Sequence, residues 1–465
     1  MNSSSPLLTD SACIPELLQL ACDEAVRYLS DINECPVNNL LSPSASFHLP
    51  MHGLGTKQAL ELFTQAYGET ITGSVGPRYF GFVTGGSTPA AIVGDWLTSV
   101  YDQNACDRSS IAAAKIEASA IGMLRGLLGL PETFNGLFVS GATMSNFVGM
   151  AIGRQWWGEQ HGINIAVNGL SNLPKLVVLS GAPHSCIYKG LSMLGLGRES
   201  LQLVPTLPGR EAVDLSALKQ ALQAQAGQPC MVVANAGVVN TVDFDNIAAI
   251  VDLKRKFNFY LHVDAAFGGF AACSPHYAPL LAGWEDADSI TVDTHKWLNV
   301  PYDSAVQFTK HINLQVEVFQ NAAAAYLGGP NTADAFHLTP ENSRRLRALP
   351  TWFSLMAYGA DGYREIVESS CACAARLGQR IAESAQFKLL APVRMNVVSF
   401  AFKHVDGTDE QVATFLNRLR DSGKTFLTPT TYQNIRGMRA AFSNWRTTLN
   451  DVEIAWQAML EAADV

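Results

Sequence analysis

Lys296 stands in the run Asp293, Thr294, His295, Lys296 and Trp297, directly after the short apolar stretch Ser289–Val292. That stretch has the length and the polar ending of a buried strand. The lysine therefore sits at a strand mouth between two rings, where a cation is poorly solvated. Desolvation favours a neutral amine that can attack a carbonyl carbon. By itself a Lys-Trp pair is more often a solvated head above a packed ring. A second residue reverses that reading. Residues 257–263 form another apolar run, which ends at Asp264 and is followed by the small Ala265 and Ala266.

A lysine and a strand-end acid in this order meet two needs of pyridoxal phosphate chemistry. The lysine carries the cofactor through its amine, and the acid pairs with the pyridinium nitrogen so that the ring accepts electrons. The third need is a phosphate cup at a helix N-terminus. Ser140, Gly141, Ala142 and Thr143 end one apolar run and open a helical one. The N–H groups of Ala142 and Thr143, with the Thr143 hydroxyl, suit a dianion. Taken alone, Asp264 reads as a turn cap and Thr143 as part of an ordinary helix start. Their combination with Lys296 carries the argument.

The elements that must position these residues alternate. Residues 16–31 and 57–67 read as amphipathic helices with little core of their own, so an N-terminal segment, residues 1–78, is expected to pack on a second copy of the chain. From 79 to 350, helices alternate with short apolar strands at 137–139, 175–179, 231–234, 259–263, 289–292 and 305–309. This pattern predicts an α/β domain with a mostly parallel sheet covered by helices, its ligand beyond the carboxyl ends of the strands. Within it, residues 328–343 are rich in Gly, Pro, Asn and Asp and read as a mobile loop. A long helix at 351–384 leads into a smaller C-terminal α/β domain, 351–465.

The 465 residues are 48% hydrophobic and 16% charged, with a net charge of −9. That composition excludes a disordered chain and disfavours nonspecific binding to nucleic acid or membrane surfaces. Nine cysteines without metal-ligand spacing read as free thiols, and the absence of a basic-then-apolar leader or a long apolar run predicts a cytoplasmic protein.

His184, the run His262, Val263, Asp264, Ala265 and Ala266, and the run His295, Lys296 and Trp297 together resemble the group II pyridoxal-phosphate-dependent amino-acid decarboxylases, including those for aromatic amino acids, histidine and glutamate. The tail from Arg439 to Thr448 is similar to the family's closing strand. The resemblance implies the aspartate-aminotransferase-like fold (fold type I), a homodimer and an amino-acid substrate. It implies that His184 stacks on one ring face and Ala266 packs against the other. Thr294 and His295 are expected at the phosphate, since the charge of Asp293 repels it. Asn240 is expected to replace a threonine near the cofactor oxygen. Arg78, Tyr79, Phe80, Gly81 and Phe82 resemble the substrate-pocket segment, with Phe80 and Phe82 as side-chain contacts.

One departure bears on the product. Relatives of the aromatic type place a tyrosine in the mobile loop to return a proton after carbon dioxide leaves. No tyrosine occurs between Leu327 and Trp352; Tyr326 precedes that interval and reads as a packing residue. His337 is the expected donor, with Phe336 closing over the site. The expected reaction is decarboxylation of an L-amino acid to the amine and carbon dioxide. The alternatives are an oxygen-consuming aldehyde synthase, as in family members with phenylalanine at the tyrosine position, and an inactive cofactor-binding scaffold. An aminotransferase fits the His-Lys-Trp context less well.

Overall fold

A computed structural model describes residues 5–38, 47–106, 110–321, 329–403 and 408–463. Tyr326 and the start of the expected 328–343 loop lie outside them. Seven strands make the larger sheet: β1 (Asn135–Val139), β2 (Val178–Ser180), β3 (Leu201–Leu203), β4 (Cys230–Asn235), β5 (Phe259–Asp264), β6 (Ser289–Val292) and β7 (Ala305–Thr309). Their order is β1-β7-β6-β5-β4-β2-β3. β7 runs antiparallel to β1 and β6, and the other pairings are parallel. Every residue of β4, β5, β6 and β7 is buried, as strands covered on both faces must be. The strand expected at 175–179 begins only at Val178.

The helix Ala142–Gln160 lies on this sheet at close range because Gly153 lacks a Cβ. One placed there would come 2.5 Å from Met231 Cε and 2.8 Å from Tyr260 Cδ1. The long helix Ala348–Glu383 bends at Gly359, whose φ is +58°. Its Tyr363, Val367 and Cys371 belong to the larger core, and its Cys373, Leu377 and Ile381 belong to a second one.

That second core lies under an antiparallel sheet of β8 (Phe387–Leu389), β9 (Val397–Phe402), β10 (Thr428–Tyr432) and β11 (Ile435–Ala441), in the order β10-β11-β9-β8. The helices Asp409–Asp421 and Leu449–Ala463 contribute to the same core, and Thr408 with Gln411 forms a reciprocal capping box at the start of the first. Phe80 also belongs here. It is 1% exposed, its ring lies 4.4 Å from that of Phe442, and its N–H donates to Phe426 O. The apolar environment of the small sheet claims this ring, so Phe80 is not the substrate contact expected from the sequence.

The helices Pro6–Ala12, Ile14–Ser30 and Thr56–Tyr67 bury no residue at all. Leu18 and Phe63 remain 54% and 47% exposed. No helix among the described residues is long and apolar enough to cross a membrane. All nine cysteines are free.

Candidate active site

The end of β5 and the turn that follows β6 meet at one cleft of about 420 Å³. Lys296, Asp264, His184, Ala266, Asn240, Ala142 and Phe82 all line it. Lys296 follows β6 on the single helical turn Thr294–Trp297. The carbonyl of Lys296 packs so tightly against Gly85 that a Cβ there would fall 1.6 Å from it. Trp297 is fully buried beneath, its Nε1 donating to Ser370 Oγ at 3.3 Å. The lysine is thus held by its backbone and by its neighbour's ring, which leaves the side chain free to enter the cleft.

The amine is not the unpaired group that its flanking rings suggest. Its Nζ lies 3.2 Å from Asp293 Oδ2, and the same oxygen accepts from Ala142 N at 3.3 Å. Asp293, 2% exposed, therefore occupies the helix end expected to hold phosphate. His295 Nε2 approaches the other oxygen at 3.2 Å without hydrogen-bond geometry. His295 Nδ1 accepts from Ser304 N at 3.2 Å, and its ring leans on Tyr302. Desolvation lowers the His295 pKa, against the opposing charge of Asp293.

Asp264 ends β5. Its Oδ1 accepts from Ala266 N at 3.2 Å and its Oδ2 from Asn146 Nδ2 at 3.0 Å. His184 caps the helix Ser185–Met193, accepting from Cys186 N at its Nδ1. Cys186 Sγ lies 2.9 Å from the same nitrogen, so Nε2 is the edge left for a ligand. The ring is open to solvent through the cleft mouth. The wall behind it still lowers its pKa by desolvation, with Asp264 opposing and Lys296 and Arg439 reinforcing the shift.

Besides Phe80 and His295, three expected residues do not line the cleft. Thr294 is fully buried and donates to Ser304 Oγ at 2.6 Å, a bond that shapes the lysine turn instead. Thr143 lies on the first turn of its helix outside the lining. His337 is 1% exposed, and its Nδ1 accepts from Asn321 N at 3.2 Å. Its ring packs on Phe336 at 4.4 Å, in a short turn away from the cleft of its own chain.

Two charged residues in the lining are ones that the sequence pattern does not single out. Glu211 accepts from Asn240 Nδ2 at 3.0 Å and from Thr241 Oγ1 at 2.7 Å. Arg439, on β11, is 7% exposed and donates to Val239 O at 2.9 Å, while its Nε has no partner. Among the described residues no carboxylate stands within ion-pair distance of it, and burial lowers its pKa to about 10 against the more distant charge of Glu211. The signal for it is in the strand: Met438 and Ala440 point into the core, so Arg439 between them must point the other way.

An amine, a carboxylate and an imidazole on the walls of one cleft fit pyridoxal phosphate, whose aldehyde and ring nitrogen need the first two. The first-turn N–H groups of the helix Ala142–Gln160 would supply donors for its phosphate, Ala142 N only if Asp293 gave up its bond there.

Comparison with known proteins agrees. An aromatic-L-amino-acid decarboxylase of Bacillus atrophaeus is 25% identical over 455 residues, spanning 93% of this chain and 92% of the relative. A phenylacetaldehyde synthase of Petunia hybrida is 25% identical over 413 residues, spanning 82% and 80%. The solved structure of Oryza sativa TDC with PLP and tryptamine matches with a TM-score of 0.89 at 22% identity, covering 97% of this chain and 98% of that one. This last likeness gives the fold, type I of the pyridoxal-phosphate-dependent enzymes. The model described as the pyridoxal-dependent decarboxylase conserved domain matches residues 49–403, and by that match the chain belongs to this family of amino-acid decarboxylases that use pyridoxal 5'-phosphate.

Proposed function

We propose that this chain decarboxylates an L-amino acid to its amine, and that Arg439 receives the substrate's carboxylate. The observation that carries the proposal is a buried arginine whose Nε has no partner and which, among the described residues, no carboxylate approaches within ion-pair distance, facing the same cleft as Lys296 and Asp264. A desolvated cation of this kind gains most from a carboxylate that arrives with the ligand. Bound pyridoxal phosphate supplies the electron sink for the charge left when carbon dioxide departs. Lys296 would provide the amine that holds the cofactor. Asp264 keeps a proton on the ring nitrogen. His184 presents Nε2 to the cleft, where it bounds the ligand and is placed to carry a proton. Phe82, Val83 and Val238 give the mouth an apolar lining suited to an uncharged substrate side chain.

A second reading is favoured by one observation. The interval between Leu327 and Trp352 holds no tyrosine, and His337 is packed away from the cleft, so the loop offers no evident proton donor from the same chain. Oxygen then competes for the site, giving an aldehyde, ammonia and peroxide in place of the amine. The functional protein is proposed to be a cytoplasmic homodimer, its three N-terminal helices covered by the second copy. This rests on their exposed apolar faces, which a monomer leaves in water. The test is product analysis across a panel of amino acids, with carbon dioxide, amine, ammonia and peroxide measured together. Carbon dioxide matched by amine supports the first reading, and peroxide matched by ammonia supports the second. No carbon dioxide from any amino acid would sink both.

A further inference from the structure

Asp264 is braced from behind by a continuous run of buried polar side chains. Asn146 Nδ2 donates to its Oδ2 at 3.0 Å, Asn146 Oδ1 lies 2.8 Å from His262 Nε2, and His262 Nδ1 lies 2.7 Å from Ser289 Oγ. Asn146, His262 and Ser289 are each 0% exposed. The direction of every bond follows from the first. An ionised carboxylate only accepts, so the amide nitrogen of Asn146 faces Asp264 and its oxygen faces His262. His262 must then donate from Nε2, which leaves Nδ1 to accept the Ser289 hydroxyl proton.

The fold makes room for this arrangement. A Cβ on Gly149 would fall 2.6 Å from His262 Cε1 and 2.7 Å from its Nδ1, so the glycine is what admits the ring beneath the helix Ala142–Gln160. Asn146 Nδ2 also lies 3.2 Å from Cys186 Sγ, the thiol beside His184 Nδ1. One amide therefore touches both the acid and the group that braces the imidazole.

We propose that Asn146, oriented by His262 and Ser289, is a positioning residue that fixes the carboxylate of Asp264 toward the cofactor's ring nitrogen. This rests on Asp264 being that partner. Without the amide, a buried carboxylate keeps a single donor, Ala266 N, and loses its fixed plane.

The test uses holoenzyme variants and reads cofactor affinity by equilibrium dialysis together with the absorbance spectrum of the bound cofactor. Neither readout depends on which amino acid is the substrate. Asn146→Leu should weaken cofactor binding roughly 10- to 100-fold, the range for a lost hydrogen bond to a charged group, and should shift the spectrum in the direction seen for Asp264→Asn. His262→Leu should do the same. His262→Gln, whose amide restores a donor toward Asn146, should recover most of the loss, whereas a general packing defect would treat both His262 variants alike. If Asn146→Leu does not fold, the His262 pair decides. The proposal is overturned if affinity and spectrum stay as in the wild type in Asn146→Leu or His262→Leu while Asp264→Asn changes both. If Asp264→Asn itself changes neither, the assignment of Asp264 fails and this inference falls with it.

Discussion

Asp293 Oδ2 stands 3.2 Å from Lys296 Nζ and 3.3 Å from Ala142 N, so one buried carboxylate bridges the cleft lysine and the N-terminal end of the helix Ala142–Gln160. The three groups are complementary as they stand: a cation and a helix N-terminus share one anion. If Lys296 and this helix end hold the cofactor as proposed, its binding would take up the amine and bring a dianion to the same N–H groups. Asp293→Asn keeps the shape and removes the competing charge. It should tighten cofactor binding by roughly tenfold, or ~1.4 kcal/mol, measured by titration of the apoprotein. Weaker binding in Asp293→Asn would mean that the carboxylate is needed by the holoenzyme, for instance to hold His295.

Much of this site is legible in sequence because its chemistry sits where strands end. Ser289–Val292 and Ala305–Thr309 are found where apolar runs of strand length place them, and Lys296 and Asp264 follow directly. Arg439 is harder, since its approach to the cleft depends on how the small sheet docks beside Val239. Phe80 misleads because an aromatic residue next to a pocket segment reads the same whether it faces ligand or core; only its contact with Phe442 decides. Asp293 shows the remaining limit. Its charge is plain in the sequence, but its partner, Ala142, lies on another element, and no local pattern encodes that meeting.

Stability should fall on mild acidification through His262. Burial lowers its pKa to about 4, against an ordinary value of 6.5. The unfolded chain therefore takes up a proton before the folded one does as pH falls. The stabilisation is complete above 6.5, erodes from there down to about 4, and changes no further below. At pH 5 the loss amounts to ~2 kcal/mol. Asp245, pushed up to about 6 by burial, works in the opposite sense over part of this range. The informative quantity is thus the difference between wild type and His262→Gln in urea denaturation at pH 7 and pH 5. The variant should lose less stability than the wild type between the two. Equal losses would show that the ring is already protonated, or is not desolvated, in the folded protein.

The N-terminal helices should prove inseparable from the active assembly. Leu7, Ile14, Leu18, Val26 and Phe63 are between 47% and 65% exposed on helices that bury nothing. Deleting residues 1–70 should leave aggregates or an inactive monomer by light scattering, because the surface those helices cover in a dimer would be left open. A truncated protein that stays soluble, dimeric and fully active would remove them from the interface.

His337→Phe separates a structural histidine from a chemical one. In its own chain the ring is buried, its Nδ1 accepts the Asn321 N–H, and its Nε2 has no partner. Phenylalanine fills the same space but leaves that N–H without an acceptor, a cost of ~1–3 kcal/mol. It also removes the unpartnered Nε2, which offsets part of that cost, so a net destabilisation of about 1 kcal/mol is expected in urea. The ratio of amine to aldehyde should not move, because the ring does not line the cleft of its own chain. A rise in aldehyde and peroxide with stability intact would overturn the structural role. It would place His337 at a cleft in the assembled protein, returning the proton that the absent tyrosine supplies elsewhere in the family.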